Sequence, residues 1–145
     1  MQNQTVEAER AQDPSPMWAL LIAAHSLEDK IESSLSGLGL SLAKLNVLSR
    51  MVEAGEPLSL GEIAARLHCV RSNVTQLVDR LESDGLVRRD AHPGDRRSIR
   101  AVLTAEGRER QSRGAAELAR VNSAFDVRLT NEARAALTKA LSEIG

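Results

Sequence analysis

The chain has 145 residues, of which 42% are hydrophobic and 27% are charged, and its formal net charge is −1. That balance is typical of a single folded domain and argues against a disordered chain. Only 1% of the residues are aromatic, so the core must be aliphatic, which favours packed helices over an aromatic-rich β-sandwich. The longest apolar run, Met17 to Ala24, is much shorter than the roughly 20 residues of a membrane span.

The cysteine content and the N-terminal residues indicate the compartment. A single cysteine, Cys69, excludes an internal disulfide framework and a four-cysteine zinc site. Residues 1–16 carry acids as well as bases and do not resemble a signal peptide. We therefore expect a cytoplasmic protein that makes no use of a membrane.

Positive charge is concentrated in one short stretch. Residues 88–100 contain five Arg and two Asp, although the chain as a whole is slightly acidic. The total charge alone argues against a nucleic-acid partner, whereas a local basic patch is typical of one. The distribution of charge therefore matters more than its sum.

Hydrophobic periodicity predicts two helices in the N-terminal part of the chain. Residues 1–16 show no periodicity and end in a Pro-Ser-Pro sequence, which is typical of a mobile tail. Apolar residues spaced by three and four then predict a first helix over 17–35, which Gly37 ends. Ser41 is a suitable cap for a second helix, which Gly55 stops.

The middle of the chain predicts a helix-turn-helix followed by a hairpin. Ser59 and Glu62 fit a capping box at the start of a short third helix. A fourth helix begins near Arg71 and is closed by Gly85. Over residues 86–103 the period changes to two around a Pro-Gly turn, which predicts a two-stranded hairpin with a long, basic tip.

Two more helices are predicted after the hairpin. Thr104 is a suitable cap for a long helix, and Thr130 for the last one. The first half of the long helix is polar, so we expect its start to lie on the surface. The expected fold class is mainly α, a winged helix-turn-helix with a two-stranded β-wing.

The fourth helix and the hairpin carry side chains suited to duplex DNA. A major groove about 12 Å wide admits one helix, and Asn, Gln and Arg pair with base edges there. The solvent face of the fourth helix offers Arg71, Ser72, Asn73, Thr75, Gln76, Asp79 and Arg80. The hairpin offers Asp95, Arg96, Arg97 and Ser98, and planar cations suit a narrow minor groove or phosphates. A polar outer face alone is more often a solvated helix, but the basic hairpin beside it has no evident role in stability.

This stretch resembles the MarR family of bacterial winged helix-turn-helix transcriptional regulators. The resemblance is carried by Ser59–Leu67, Val74–Glu82, Gly85–Arg89, Pro93–Ser98 and Val102–Gly107. Their order and spacing match over roughly residues 17–145. The wing sequence Asp-Arg-Arg, followed by a Leu-Thr-x-x-Gly helix start, is the specific part of the signal.

The resemblance implies a homodimer in which the first helix and the last two helices of each subunit interlock. The chain's own pattern agrees, because these three helices have apolar faces that a short helix-turn-helix lobe could not cover. The expected division is a tail over 1–16 and a single domain over 17–145. Within that domain, 41–104 form the winged helix-turn-helix lobe, and 17–40 and 105–145 form the helical dimerisation region.

The family's Asp-x-Arg wing pattern implies roles for three residues of the hairpin. By that pattern Asp95 holds Arg97 in an ion pair, and Arg97 enters the minor groove. Arg96 is then left for a phosphate.

The turn before the fourth helix departs from the family's pattern. Many members cap this recognition helix with Ser or Thr, whereas the equivalent residue here is Val70, which cannot cap. Either the helix starts later, or His68 or Cys69 shapes the turn. Some relatives sense oxidants through a single cysteine in the first helix region; we expect Cys69 instead to be a small buried hydrophobic residue, with a redox switch as the alternative.

No catalytic or metal-binding arrangement is evident, so we expect no enzyme, metal or cofactor. A Gly-rich phosphate loop and a nucleophile elbow are both absent from the sequence, and His25, His68 and His92 lack ligand spacing. Family members commonly bind small aromatic carboxylates or phenols as effectors. Trp18 and His25 are weak candidates for such a site; Trp18 is better suited to anchor an interface, and His25 to an interface or the surface.

We therefore expect a sequence-specific DNA-binding transcriptional regulator, most often a repressor in this family. Its partners would be a pseudo-palindromic double-stranded DNA operator, a second copy in a homodimer, and a small effector that releases the DNA. The alternative is a winged-helix protein-interaction or dimerisation module without specific DNA binding, which the net charge of −1 and the few cations on the fourth helix favour. A steep salt dependence of DNA binding distinguishes the regulator from the module.

Overall fold

A computed structural model describes residues 15–144 of the chain, which form six helices and three strands. In chain order these are α1 (Pro16–Ser36), α2 (Leu42–Ala54), β1 (Leu58–Ser59), α3 (Leu60–Leu67), α4 (Arg71–Ser83), β2 (Val87–His92), β3 (Asp95–Leu103), α5 (Ala105–Asp126) and α6 (Asn131–Ile144). The expected mainly helical class is confirmed. The tail expected over residues 1–16 lies outside the described residues, apart from Ser15 and Pro16, and Pro16 already opens α1.

Side-chain oxygens cap four of the helices at the residues that the sequence indicated. Each of four residues accepts a hydrogen bond from the backbone amide three positions later, at 2.9 to 3.2 Å: Ser41, Ser59, Thr104 and Thr130. At Ser59 the capping box is complete, because the Glu62 carboxylate accepts from the Ser59 amide at 2.8 Å. That hydrogen bond from Ser59 holds the pKa of Glu62 below its usual value.

The strands form a three-stranded antiparallel sheet in the order β1-β3-β2. The expected two-stranded hairpin is confirmed as β2 and β3, but a further strand joins it and the expected long tip is wrong. Leu58–Ser59 pairs with β3 as a third strand, and two residues are too few to show an alternating pattern in the sequence. The loop is also short, because β2 ends at His92 and β3 begins at Asp95.

An aliphatic core lies beneath the helix-turn-helix and the sheet, as the composition requires. Its largest fully buried side chains come from the first four helices, the strands and the residue before β2: Leu35, Leu45, Val47, Leu48, Leu58, Ile63, Val74, Val78, Leu81, Leu86 and Val87. These side chains hold α4 by one face and leave its opposite face to solvent.

The start of α5 packs closely against the lobe through two buried glycines. A Cβ at Gly107 would lie 2.1 Å from the carbonyl oxygen of Leu86, and a Cβ at Gly114 would lie 2.8 Å from Leu40 Cδ1. The start of this helix lies on the surface as expected, with Glu106, Arg108 and Glu109 exposed, but its glycine face is buried against the lobe. Glycine buries backbone rather than side chain, so hydrophobic periodicity could not reveal the contact.

Two helices expose apolar side chains that nothing else within residues 15–144 covers. Every described residue of α6 is exposed, including Leu137, Leu141 and Ile144. On α1 the exposed set includes Met17, Trp18, Leu21 and Ile22, each more than half accessible. No helix within residues 15–144 is both long enough and apolar enough to cross a membrane.

Candidate nucleic-acid interface

The recognition helix α4 is amphipathic, with one buried and one polar face. Val74, Val78 and Leu81 are fully buried. The residues expected to face DNA are exposed with one exception: Arg71, Ser72, Asn73, Gln76 and Arg80 are open to solvent, whereas Thr75 is half-buried. The Thr75 hydroxyl donates to the Arg71 carbonyl at 3.0 Å, so its proton is already engaged within the helix.

The structure of the turn before α4 shows how this helix starts without a capping side chain. The helix begins at Arg71, and Val70 stands at its N-cap without any side-chain hydrogen bond. His68 takes the left-handed conformation, with φ at 51°, and this residue shapes the turn. The first turn of α4 therefore keeps backbone amides that no side chain of the helix caps.

The wing, which is the hairpin of β2 and β3, carries its cations on the strand rather than in the loop. Arg96 and Arg97 lie on β3 and are exposed, and neither forms an ion pair within residues 15–144. The ion pair expected between Asp95 and Arg97 is therefore not formed. Asp95 Oδ1 instead accepts from the Arg97 backbone amide at 3.0 Å, the contact that a short carboxylate makes two residues along a turn. Ser98 lies beside them, half-buried.

A cluster that the sequence analysis missed ties the wing to the recognition helix. The Arg89 guanidinium on β2 contacts the carboxylates of Asp79 and Glu82 on α4. Glu82 also accepts from the Arg89 backbone amide at 3.2 Å. The hydrogen bond to Asp79 raises the pKa of Arg89 above its usual value. Asp79 is thus a partner of Arg89 rather than a free group on the DNA-facing surface.

A cleft of about 670 Å³ opens between α1 and α5, away from the helix-turn-helix. Its lining includes three cations, one acid and two larger apolar side chains: Lys30, Arg120, Arg128, Asp29, Leu27 and Phe125. Neither of the weak effector candidates lines this cleft, although His25 contacts Asp29, which does. Trp18 is exposed near the start of α1, and His25 faces Asp29 at 3.7 Å on the exposed side of α1.

Cys69 and His92, which the sequence singled out, make only ordinary contacts. Cys69 is half-buried against the core, in the role expected of a small hydrophobic residue. His92 accepts from the Gly94 amide at 2.9 Å within the turn of the wing. Across residues 15–144, no group of three His, Cys, Asp or Glu side chains is placed to hold a metal ion.

The fold and this surface together define a winged helix-turn-helix protein. A short helix pair, a recognition helix with an outward polar face, and a basic antiparallel wing are joined over one aliphatic core. That arrangement is the one by which proteins present a helix to a major groove and a hairpin to the flanking backbone.

Comparisons with known proteins identify the family. The sequence model of the MarR family matches residues 40–99. The uncharacterized HTH-type transcriptional regulator YkoM of Bacillus subtilis is 35% identical over 88 residues, which are 61% of this chain and 53% of that protein. The HTH-type transcriptional repressor Rv2887 of Mycobacterium tuberculosis is 29% identical over 134 residues, 92% of this chain and 96% of that one.

Solved structures show the same architecture. CouR from Rhodococcus jostii RHA1 bound to p-coumaroyl-CoA is 25% identical with a TM-score of 0.70, covering 87% of this chain and 88% of that one. A mutant MarR from E. coli complexed with operator DNA is 22% identical with a TM-score of 0.74, covering 89% and 93%.

Residues 40–99 match the MarR family, and the resemblance found in the sequence is confirmed. The function class expected for the chain, transcription regulation, is the class of the relatives named above. The chain spans about half the length of YkoM, the first of those relatives.

Proposed function

We propose that this protein is a transcriptional repressor that binds a pseudo-palindromic operator as a homodimer and releases it when a small effector binds. One observation carries the proposal. The outward face of α4 presents Asn73 and Gln76 beside a wing whose exposed Arg96 and Arg97 have no partner within residues 15–144. Desolvating such a surface against a protein core would leave its charges unpaired, whereas DNA supplies phosphates and base edges.

Each side chain of this surface has a role that its position supports. Asn73 and Gln76 project from the helix that enters the major groove, where their amides can pair bidentately with adenine. Arg97 is assigned to the minor groove and Arg96 to a phosphate, because both are exposed on the wing strand. The other contacts to DNA come from Arg71, Ser72, Arg80 and Ser98. Asp95 holds the wing turn rather than the DNA.

The uncovered helices support a second copy of the chain as the first partner. All of α6 and the outer face of α1 expose apolar side chains, with Trp18 among them as an anchor. Monomeric proteins rarely expose contiguous apolar surface on this scale. In the dimer, residues 17–40 and 105–145 form the shared helical region and residues 41–104 the two DNA-binding lobes. A two-fold dimer places its recognition helices about one DNA turn apart, roughly 34 Å.

The cleft between α1 and α5 supports an acidic effector with an apolar body. Its three cations outnumber its one acid, Asp29, around the apolar Leu27 and Phe125. Such a lining suits a small carboxylate or phenolate better than a neutral polar molecule. A ligand changes DNA affinity only through its different affinity for the two shapes of the dimer. Aromatic acids are therefore the first compounds to screen for release of DNA.

Selection of random duplexes by the purified protein at physiological salt tests the proposal. We expect an enriched inverted repeat, and the winning duplex then serves as the operator. Gln76→Ala should weaken the operator more than random DNA, by about 1–3 kcal/mol. Arg97→Ala should weaken both and reduce the salt slope. Arg113→Ala removes an exposed cation from α5, outside the proposed surface, and should change neither. Equal losses on operator and random DNA for Gln76→Ala would contradict its role in base reading.

A protein-interaction module is the second candidate, favoured by the net charge of −1 and the few cations on α4. It predicts no enriched sequence and only a shallow dependence of DNA binding on salt. A regulator that neutralises several phosphates loses affinity steeply as salt rises. The same selection, repeated over a salt series, therefore separates the two.

A further inference from the structure

Val70 is an apolar residue whose side chain is exposed at the start of the recognition helix. Val70 is 62% exposed, whereas Val74, one helical turn later, is fully buried. The difference follows from the backbone. Val70 is the N-cap, with φ −73° and ψ 145°, so its side chain leaves the face on which Val74 lies. Helical spacing alone would have assigned Val70 to the core.

Stability does not explain a valine at this position. N-cap positions favour Ser, Thr, Asp and Asn, whose oxygens accept an amide of the first turn, and Val70 makes no such hydrogen bond. The side chain gains little from burial either, because most of it remains in solvent. A residue that neither caps nor packs is best explained by a contact outside the chain.

The neighbours of Val70 define the chemistry of that contact. It is followed directly by the exposed Arg71, Ser72 and Asn73, and the N-terminal residues of a recognition helix are those that meet base edges. Among the groups at a major-groove edge, the C5-methyl of thymine is the apolar one. We propose that Val70 packs against a thymine methyl in each half-site and so determines specificity at that base. The inference rests on the proposed function.

Deoxyuridine tests the contact directly, because it differs from thymidine only by that methyl. In the selected operator, each thymine position is replaced in turn by deoxyuridine, symmetrically in both half-sites. At the one thymine that Val70 contacts, the replacement should lower the affinity of the wild-type protein about fourfold per half-site. This is the effect of losing one buried methyl group. Val70→Ser should bind the thymine and uracil forms of that operator equally.

Two further variants complete the design. Val70→Thr keeps one methyl and adds a capping hydroxyl, and it should retain part of the preference for thymine. Ile99→Ser removes another exposed apolar side chain, from the wing, and should keep the full preference at that position. Thermal unfolding of each variant shows that the fold is retained.

The outcomes separate this inference from the function on which it rests. Specific binding that is indifferent to uracil at every position overturns the role of Val70 and leaves the regulator standing. An equal uracil effect in wild type and Val70→Ser also overturns it, because another residue then reads the methyl. The absence of any enriched duplex overturns both proposals together.

Discussion

The close contact between α5 and the lobe at Gly107 predicts that a larger residue there would destabilise the fold. A Cβ there would stand 2.1 Å from the Leu86 carbonyl oxygen, 3.0 Å from its carbonyl carbon and 2.9 Å from Leu103 Cδ1. The oxygen belongs to the backbone and accepts from the Thr104 amide at 3.1 Å. Relief of the clash must therefore move α5 away from the strand or break that hydrogen bond.

We expect Gly107→Ala to lower the free energy of unfolding by about 2–3 kcal/mol. Overpacking against rigid backbone costs roughly 1–3 kcal/mol and occasionally more, and breaking the hydrogen bond adds to it. The better helix propensity of Ala offsets about 1 kcal/mol of the cost. For a chain of this size the shift in Tm should be several degrees.

Two other glycines provide the controls. Gly114→Ala would meet Leu40 Cδ1 at 2.8 Å and Leu45 Cδ1 at 2.9 Å, which are ends of flexible side chains, so its cost should be smaller. Gly37→Ala meets nothing within 4 Å and has a negative φ, so it should be nearly neutral. Urea unfolding at one fixed protein concentration gives the order, since dimerisation would otherwise move the midpoint. A Gly107→Ala protein as stable as Gly37→Ala would refute the close approach.

Three further predictions concern ionisable groups and the cysteine. Because its folded-state pKa is lowered, ionised Glu62 stabilises the fold above its usual pKa of 4.5, and this stability is lost as the pH falls through the folded-state pKa. Glu62→Gln should therefore lower stability by less than about 1 kcal/mol at pH 7 and not at all in strong acid. Arg89→Ala should weaken operator binding about tenfold, with little further loss in an Arg97→Ala background, because it acts through the wing. Peroxide should leave operator binding unchanged, because Cys69 is half-buried against the core.

Each of these predictions has a clear contrary result. If the difference in stability between wild type and Glu62→Gln stayed constant across the acid range, the charge of Glu62 would not be its cause. Arg88→Ala, which breaks the exposed pair with Asp90 on the same strand, is the matched control for Arg89. Fully additive losses from Arg89→Ala and Arg97→Ala would show that Arg89 does not position the wing. Peroxide sensitivity that Cys69→Ser abolishes would establish the redox switch.

Features encoded within a few residues could be predicted from the sequence. The four caps, the left-handed Gly55 and the boundary of α4 depend on neighbours three or four positions apart, so the pattern contains the whole cause. The polar face of α4 followed from the same logic, because burying one side of an amphipathic helix exposes the other.

Features that join distant residues could not be predicted in this way. Arg89 lies ten residues beyond Asp79, and only the return of β2 along α4 brings them together. Gly107 packs against a backbone atom, which has no hydrophobic signature. At Val70 the sequence indicated a missing cap, but its exposure depends on a backbone conformation that only the fold supplies.

The length of α5 determines how far one of its ends moves when the helix tilts. Its 22 residues span about 33 Å at 1.5 Å per residue. One end is fastened to the lobe through glycines 107 and 114, and the other borders the cleft. A rod of that length, tilted by about 5°, moves its far end by about 3 Å, close to the roughly 3.4 Å step between base pairs. Under the proposed function, a ligand of a few atoms in the cleft is therefore large enough to displace a recognition helix by about one base step, because glycine contacts hold the other end of α5 to the lobe.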